Sequence, residues 1–438
     1  MVNIPRVVYY LASANRRLYW DKDKLRRFQD KRLRQVVRYA YDHVPFYNHY
    51  FRKVGLDPSS IRGICDLNKL PVIKKQELKR QNPEELVSEE YDIRTLKKVR
   101  TSGSTGKPFQ VYINGKEDAW RKAIYMRANI ACGQKPRDCW VVMTSPHHFN
   151  DTTKIQRKLG IFAQTCISLF ESTDTKLNEI ADAKPDVLDG YSGSLYLLAR
   201  EVKKRGLSVI NPRIMFGSSE LIDLQSRRYM EEVFNAPFCD QLGAGEVNRT
   251  AWQCLERQGY HMDVDSVITE FLNENGETVS DGKRGEVVYT SLYNFTMPFI
   301  RYAIGDVGAP SDESCPCGRT LPLMKMIEGR KDSLLKLPGN RIVSPMVFNY
   351  AISSFKYYAD IDQYRIRQRG IDFFEVLLKM VEGWVEKEDV FSEFESHVKK
   401  FLNFGEDELR FKISIVNQIP LSSTGRLLSV SSDLKFNI

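Results

Sequence analysis

The 438-residue chain has no run of about 18 consecutive apolar residues, so no transmembrane span is expected. It has no long block of lysine and arginine, no internal repeat and no low-complexity segment. Those absences argue against a basic nucleic-acid-binding tail, a solenoid and a disordered linker. No RNA- or DNA-reading motif occurs, so nucleic acid is not an expected partner. Cysteine is scarce, eight in all, which is no disulfide framework at this length. A cytoplasmic location is the default that follows. The N-terminal stretch "MVNIPRVVYYLASANRRLYW" returns to charge before an apolar signal-peptide core is complete, so none is expected.

What is present is ordinary for a globular protein: 42% hydrophobic and 28% charged residues. At roughly 100–200 residues per domain, two or three domains are expected. Lysine and arginine number 65 against 56 acids, a net charge of +9. This mild excess suits an anionic ligand such as a nucleotide, and also nucleic acid or an acidic membrane face. The basic stretch 16–43 is interrupted by acids and spaced like a helix. It reads as a solvated helix face, with a membrane-surface role as the other reading.

Residues 1–95 read as mostly helical. From about 98 to 325, short apolar runs alternate with helical patterns. "DCWVVMTS" (138–145), "PDVLDGYS" (185–192) and "NPRIMFGSS" (211–219) are strand-like and end in Gly/Ser turns, with "SLYLLAREVKKRGL" (194–207) helical between them. That rhythm predicts an α/β domain with a largely parallel sheet. Residues 265–292 alternate with period two around "NENGE" and "DGKRG" and predict hairpins. Beyond 329 a smaller α+β pattern follows. The expected domains are therefore 1–328 and 329–438.

Between two strand-like runs lies "TSGSTGKP" (101–108). Glycines let backbone N–H groups approach an anion, hydroxyls add donors, and a lysine neutralises phosphate. It is not a Walker A loop, because Pro108 follows Lys107 where that motif needs Ser or Thr. The composition alone fits a triphosphate cradle or a flexible surface linker.

Three further motifs stand in order behind this loop: "RYAIGDVG" (301–308), "GRKDSLLKLPGNRIVSP" (329–345) and "IPLSSTGRLLSV" (419–430). Together the four resemble the landmarks of the adenylate-forming ligases. "HVPFYNHYFRKVGLDPSSIRGICDLNKLPVIKKQEL" (43–78), "KPDVLDGYSGSLYLLA" (184–199) and "CPCGRTLP" (315–322) resemble the phenylacetate–CoA ligase and CapK-type subfamily. The resemblance runs from about 43 to 430 and implies a large N-terminal domain that binds ATP and acid, with a small mobile C-terminal domain. It implies that Thr101, Ser102, Gly103, Ser104, Thr105, Gly106 and Lys107 cradle ATP phosphates, that Asp306 holds the ribose, and that Arg330 lies near ribose or phosphate. Asp332 would mark the hinge. In "DQLGAGEVN" (240–248), Gly243 and Glu246 match the family pattern, and Glu246 is the implied Mg²⁺ ligand. "GSSE" (217–220) resembles the segment bordering adenine and the acyl pocket.

The chain departs from the family at three places. Leu242 and Gly245 replace an aromatic and a hydroxyl residue, and Arg426 stands where the family carries its C-terminal catalytic lysine. Arginine keeps the charge but presents it on a planar, bulkier fork. Lys107, Glu246 and Arg426 are the implied catalytic residues. Cys254, His261, Cys315 and Cys317 form a Cys3His set of the kind tetrahedral Zn²⁺ favours. Spacing alone leaves coincidence open; the subfamily resemblance implies a structural zinc, flanking the nucleotide site.

The implied activity is ATP-dependent activation of a small-molecule carboxylic acid as an acyl-adenylate, with transfer to CoA or another thiol, a carrier thiol included. Two alternatives accompany it. One is a CapK-type enzyme of surface-polysaccharide synthesis, passing an acyl or amino-acyl group to a sugar amine or hydroxyl. The other is a non-catalytic nucleotide-binding relative. A homodimer is compatible with the sequence.

Overall fold

The strand-like runs of the central region are strands of one twelve-stranded sheet. The computed structural model describes residues 3–100, 109–146, 149, 152–330, 335–343, 345–385, 389–422, 427 and 429–434. One side of the large sheet is parallel, running Gln164–Ser168, Trp140–Thr144, Val187–Tyr191, Ile214–Ser218 and Phe238–Ala244. Consecutive residues there point to opposite faces, and both faces are buried. Val141, Met143 and Leu188 pack with the helices Thr173–Ala183, Ser192–Lys204 and Leu224–Phe234, while Trp140, Val142 and Val187 join the core on the other side. Burial on both faces explains the nearly continuous apolar runs in the sequence.

At Phe238–Ala244 the direction changes. Its next neighbours Asn248–Gln253, Tyr260–Met262, Leu323–Arg330, Tyr302–Ser311, Gly285–Ser291 and Val267–Leu272 are each antiparallel to the one before. The hairpin expected within 265–292 is the pair Val267–Leu272 and Gly285–Ser291.

Two helices, Lys22–His43 and Pro45–Lys53, cover the antiparallel half, and Ile4–Arg17 packs on the helix Gly115–Ala131. Asp21 caps the long helix by accepting from Lys24 N–H at 2.7 Å. Leu25, Gln29, Leu33, Val36, Val37 and Ala40 form its buried stripe at helical spacing. Its apolar face is thus occupied by the core and its basic face is the solvated one. No helix among the described residues is long and apolar enough to cross a membrane.

The residues after Leu335 build a separate core around Phe348, Phe374, Phe394 and Val398. Its sheet has the order Arg410–Ile415, Phe373–Met380, Ile361–Gln368 and Val430–Ser432, with the helices Pro345–Ser353 and Val390–Leu402. This is the smaller α+β unit expected from the sequence.

A buried charge cluster ties the large unit together. Arg127, on the helix Gly115–Ala131, pairs with Asp263 at 2.5 Å and Asp265 at 2.8 Å. Arg17 reaches Asp265 at 2.7 Å and Arg249 reaches Asp263 at 3.0 Å. Burial works against the Arg127 charge, but the two carboxylates outweigh it and raise its pKa. Burial also acts on Asp265, and Arg127 and Arg17 override it to hold that carboxyl below its ordinary value. Removing one partner of such a set strands buried charge. Arg127→Met is therefore expected to destabilise the protein by about 3–5 kcal/mol, measured by denaturant unfolding.

Asp189, in the middle of the parallel half, behaves oppositely. Burial pushes its carboxyl up to about 7, against a hydrogen bond from the Tyr125 hydroxyl at 2.7 Å. The folded protein thus holds this proton more tightly than the unfolded chain. The stabilisation is complete below pH 3.8 and drains away as the pH climbs through about 7. Asp189→Asn should remove that dependence. Its stability relative to the parent should rise by on the order of 4 kcal/mol between pH 4 and pH 8, read from urea unfolding at each pH.

Candidate active site

Ligands in open α/β sheets bind beyond the carboxyl ends of parallel strands, where strand order or direction switches. Here the switch is at Phe238–Ala244, and Glu246 follows directly in the turn to Asn248–Gln253. The turn is tight. Asn248 has a left-handed φ of 69°, and a Cβ on Gly243 would lie 2.7 Å from the Asn248 carbonyl oxygen. Gly243 therefore has a packing reason independent of any ligand. Arg121 donates to the Gly245 carbonyl at 2.9 Å, and Asn294 donates to that of Glu246 at 2.9 Å. The backbone of the turn is fixed from two sides.

The Glu246 carboxylate is 2% exposed. It accepts from the Tyr302 hydroxyl at 3.0 Å and pairs with Lys75 at 2.7 Å. Tyr302 opens the strand that also carries Asp306, and the register sets Asp306 opposite Arg330. Asp306 lies close enough to Tyr289 to help raise that phenol, after burial as the main cause.

Lys75 and Tyr302 were not marked as site residues by the sequence. Lys75 did leave a signal: it begins the helix Lys75–Lys79, where a cation opposes the helix dipole. Its partner across the turn explains the placement.

The cradle residues Thr101, Ser102, Gly103, Ser104, Thr105, Gly106 and Lys107 lie outside the described residues, as do Asp332 and Arg426. Arg330 is placed by its backbone alone. The strands on either side of the loop, Lys97–Arg100 and Gln110–Ile113, are a described antiparallel pair. Their foot is anchored beside the Glu246 turn. Asn114, which caps the helix Gly115–Ala131, donates to Thr296 Oγ1 at 2.8 Å, and Glu117 accepts from the N–H groups of Phe295 and Thr296 at 2.6 and 2.7 Å. Asn294 in that same segment holds the Glu246 backbone. Asp118 adds an ion pair to Lys97 on the hairpin at 2.7 Å.

Cys254, His261, Cys315 and Cys317 do come together, with their ligand atoms all within 4.8 Å of one another. Cys254 Sγ is 3.5 Å from Cys315 Sγ, and Cys317 Sγ is 3.4 Å from His261 Nε2. A tetrahedral zinc with Zn–S of about 2.3 Å sets its sulfurs about 3.8 Å apart, so the donors fit such an ion. His261 sits on a strand between Asn248–Gln253 and Leu323–Arg330, and the two 300-series cysteines enter from the turn before the latter. The cluster stands apart from Glu246. It occupies the far end of the six-residue strand Asn248–Gln253, roughly 20 Å away at 3.3 Å per residue.

No protein-family profile matches the chain. Among curated proteins it is 28% identical over 333 residues to the phenylacetate–coenzyme A ligase of Thermus thermophilus, covering 74% of this chain and 75% of that one. It is 22% identical over 466 residues to protein CapK of Staphylococcus aureus, covering 99% and 96%. Among solved structures, 2-hydroxyisobutyryl-CoA ligase in its postadenylation state superposes with a TM-score of 0.79 at 20% identity, covering 95% of this chain and 91% of that one. The same ligase in its thioesterification state gives 0.63 at equal coverage and identity. The chain is thus similar in sequence to phenylacetate–CoA ligase and to CapK, and it shares the fold of a solved CoA ligase.

Proposed function

We propose that the protein is an ATP-dependent acid–thiol ligase. A carboxylate oxygen attacks the α-phosphorus of ATP, the bond to pyrophosphate breaks, and an acyl-adenylate forms. A thiolate, that of CoA in this reading, then attacks the acyl carbon and AMP leaves. The observation that carries the proposal is the buried, pre-positioned Glu246 carboxylate at the switch point, tied through residues 294–296 to the foot of the "TSGSTGKP" hairpin. Charge neutralisation and positioning are what nucleotidyl transfer chiefly needs.

In this reading residues 101–107 cradle the phosphates, Gly243 shapes the nucleotide-side turn, Asp306 accepts from the ribose hydroxyls, and Arg330 and Arg426 supply positive charge around the nucleotide. Glu246 is a hard, buried carboxylate suited to Mg²⁺, which when bound neutralises phosphate charge. Lys75 already neutralises Glu246, so this chain's ammonium and the metal compete for one carboxylate. Residues 1–328 form the nucleotide- and acid-binding domain, 329–438 the mobile one, with Asp332 the hinge. A cytoplasmic setting, where ATP and CoA are found, suits this chemistry.

Acid-dependent ATP–pyrophosphate exchange over a panel of aromatic, fatty and hydroxy acids tests the reading. CoA thioester should then form with the acid that supports exchange. Lys107→Ala is expected to lower kcat/KM for ATP about tenfold or more, about 1.4 kcal/mol of transition-state stabilisation. Glu246→Gln should lower exchange by a similar factor or more and raise the magnesium requirement. Exchange with no acid, or unchanged ATP kinetics in both variants, overturns the assignment.

The Cys3His cluster would hold one zinc through four protein ligands, leaving no open coordination position, and so would be structural. Purified protein should contain about one zinc per chain by metal analysis. Cys317→Ser should release it and lower the unfolding temperature while ATP affinity stays within about twofold, as expected of a site beyond the chemistry.

A further inference from the structure

Among the described residues, the helix Ser192–Lys204 makes several contacts with the smaller unit. Tyr196, Arg200 and Lys204 are four residues apart and share one face of it. Tyr196 and Tyr358 are joined hydroxyl to hydroxyl at 3.1 Å. Arg200 pairs with Asp362 at 3.2 Å, and Lys204 with Glu382 at 2.6 Å. At the N-terminus of the same helix, Tyr191 provides no side-chain cap. Glu220 takes that place: one carboxylate oxygen accepts from Gly193 N–H at 2.7 Å. Its other oxygen accepts from Leu427 N–H, at 2.6 Å, in the C-terminal segment. A Cβ on Gly193 would come within 2.5 Å of Glu220 Oε2 and 2.8 Å of Leu427 Cβ. Only glycine lets helix, carboxylate and C-terminal segment meet this closely. The cavity beside the contact is about 50 Å³, room for little more than water.

We propose that Glu220, seated on Gly193, and the Arg200–Asp362 pair form a latch that selects the small-unit orientation of the first half-reaction. The chain superposes better on the postadenylation state of the solved ligase than on its thioesterification state. A contact made in one orientation only shifts the population by its differential free energy. Glu220 and Arg200 are thus positioning residues: they hold Leu427 and the smaller unit in this orientation and release them for the thiol step. The kinetic part of this proposal rests on the ligase reading; the latch contact does not.

Amide hydrogen exchange reads the contact directly. In Glu220→Ala the Leu427 and Gly193 amides should lose protection about tenfold or more, with the large sheet unaffected. Unchanged Leu427 protection overturns the latch. Half-reaction kinetics read its role, with Arg200→Met as the variant away from the nucleotide site. ATP–pyrophosphate exchange should fall roughly fivefold or more, while single-turnover transfer from synthetic acyl-adenylate to CoA stays unchanged or quickens. An equal fall in both steps, or a change in neither, overturns it. A parent protein inactive with every acid would sink the ligase reading, and amide hydrogen exchange would still decide the latch.

Discussion

The guanidinium of Arg127 between Asp263 and Asp265 is the interaction on which the rest of the large unit depends. It fixes the helix Gly115–Ala131 against the antiparallel half of the sheet. From that anchored helix other side chains reach separate parts of the site: Glu117 to residues 295 and 296, Asp118 to the hairpin, Arg121 to the Gly245 carbonyl and Tyr125 to Asp189. A helix so placed is polar and buried around much of its circumference, so it shows little amphipathic pattern. Its charges look superficial in a sequence and are internal in the fold.

Anchorage at both ends also describes the strand Asn248–Gln253. One end leads into the Glu246 turn, and the other ends at Cys254 and its three neighbours. Arg249 within it joins the buried charge cluster and also donates to backbone carbonyls of Ile124 and Tyr125. A metal tie at the far end would stabilise a segment already held at its middle, so its influence on the near end would pass through a rigid element.

The two units have separate apolar cores, and what joins them is mostly polar. Partly exposed ion pairs are each worth about 1 kcal/mol or less. Such an interface holds an orientation without freezing it. The Glu220 contacts differ in being close and directional, so they discriminate between orientations more sharply than the surrounding charges.

The alternation of apolar runs with helices, the hairpin within 265–292 and the small α+β unit were all legible, because strand and helix periodicity is local. The Cys3His set was marked by residue type, and the structure brings it together, while Glu246 was marked by its place in a motif that resembles the family's. Lys75, Tyr302, Glu220 and the Arg127 cluster were not: their partners lie between 14 and 248 residues away, or across the two units. By itself the sequence determined fold class and motif order, through local backbone preference and residue type. Tertiary structure alone decided which charges are buried together, that the thiol cluster stands apart from Glu246, and that one glutamate bridges a helix end to the C-terminal segment. Those are matters of distance between remote parts of the chain, which only packing sets.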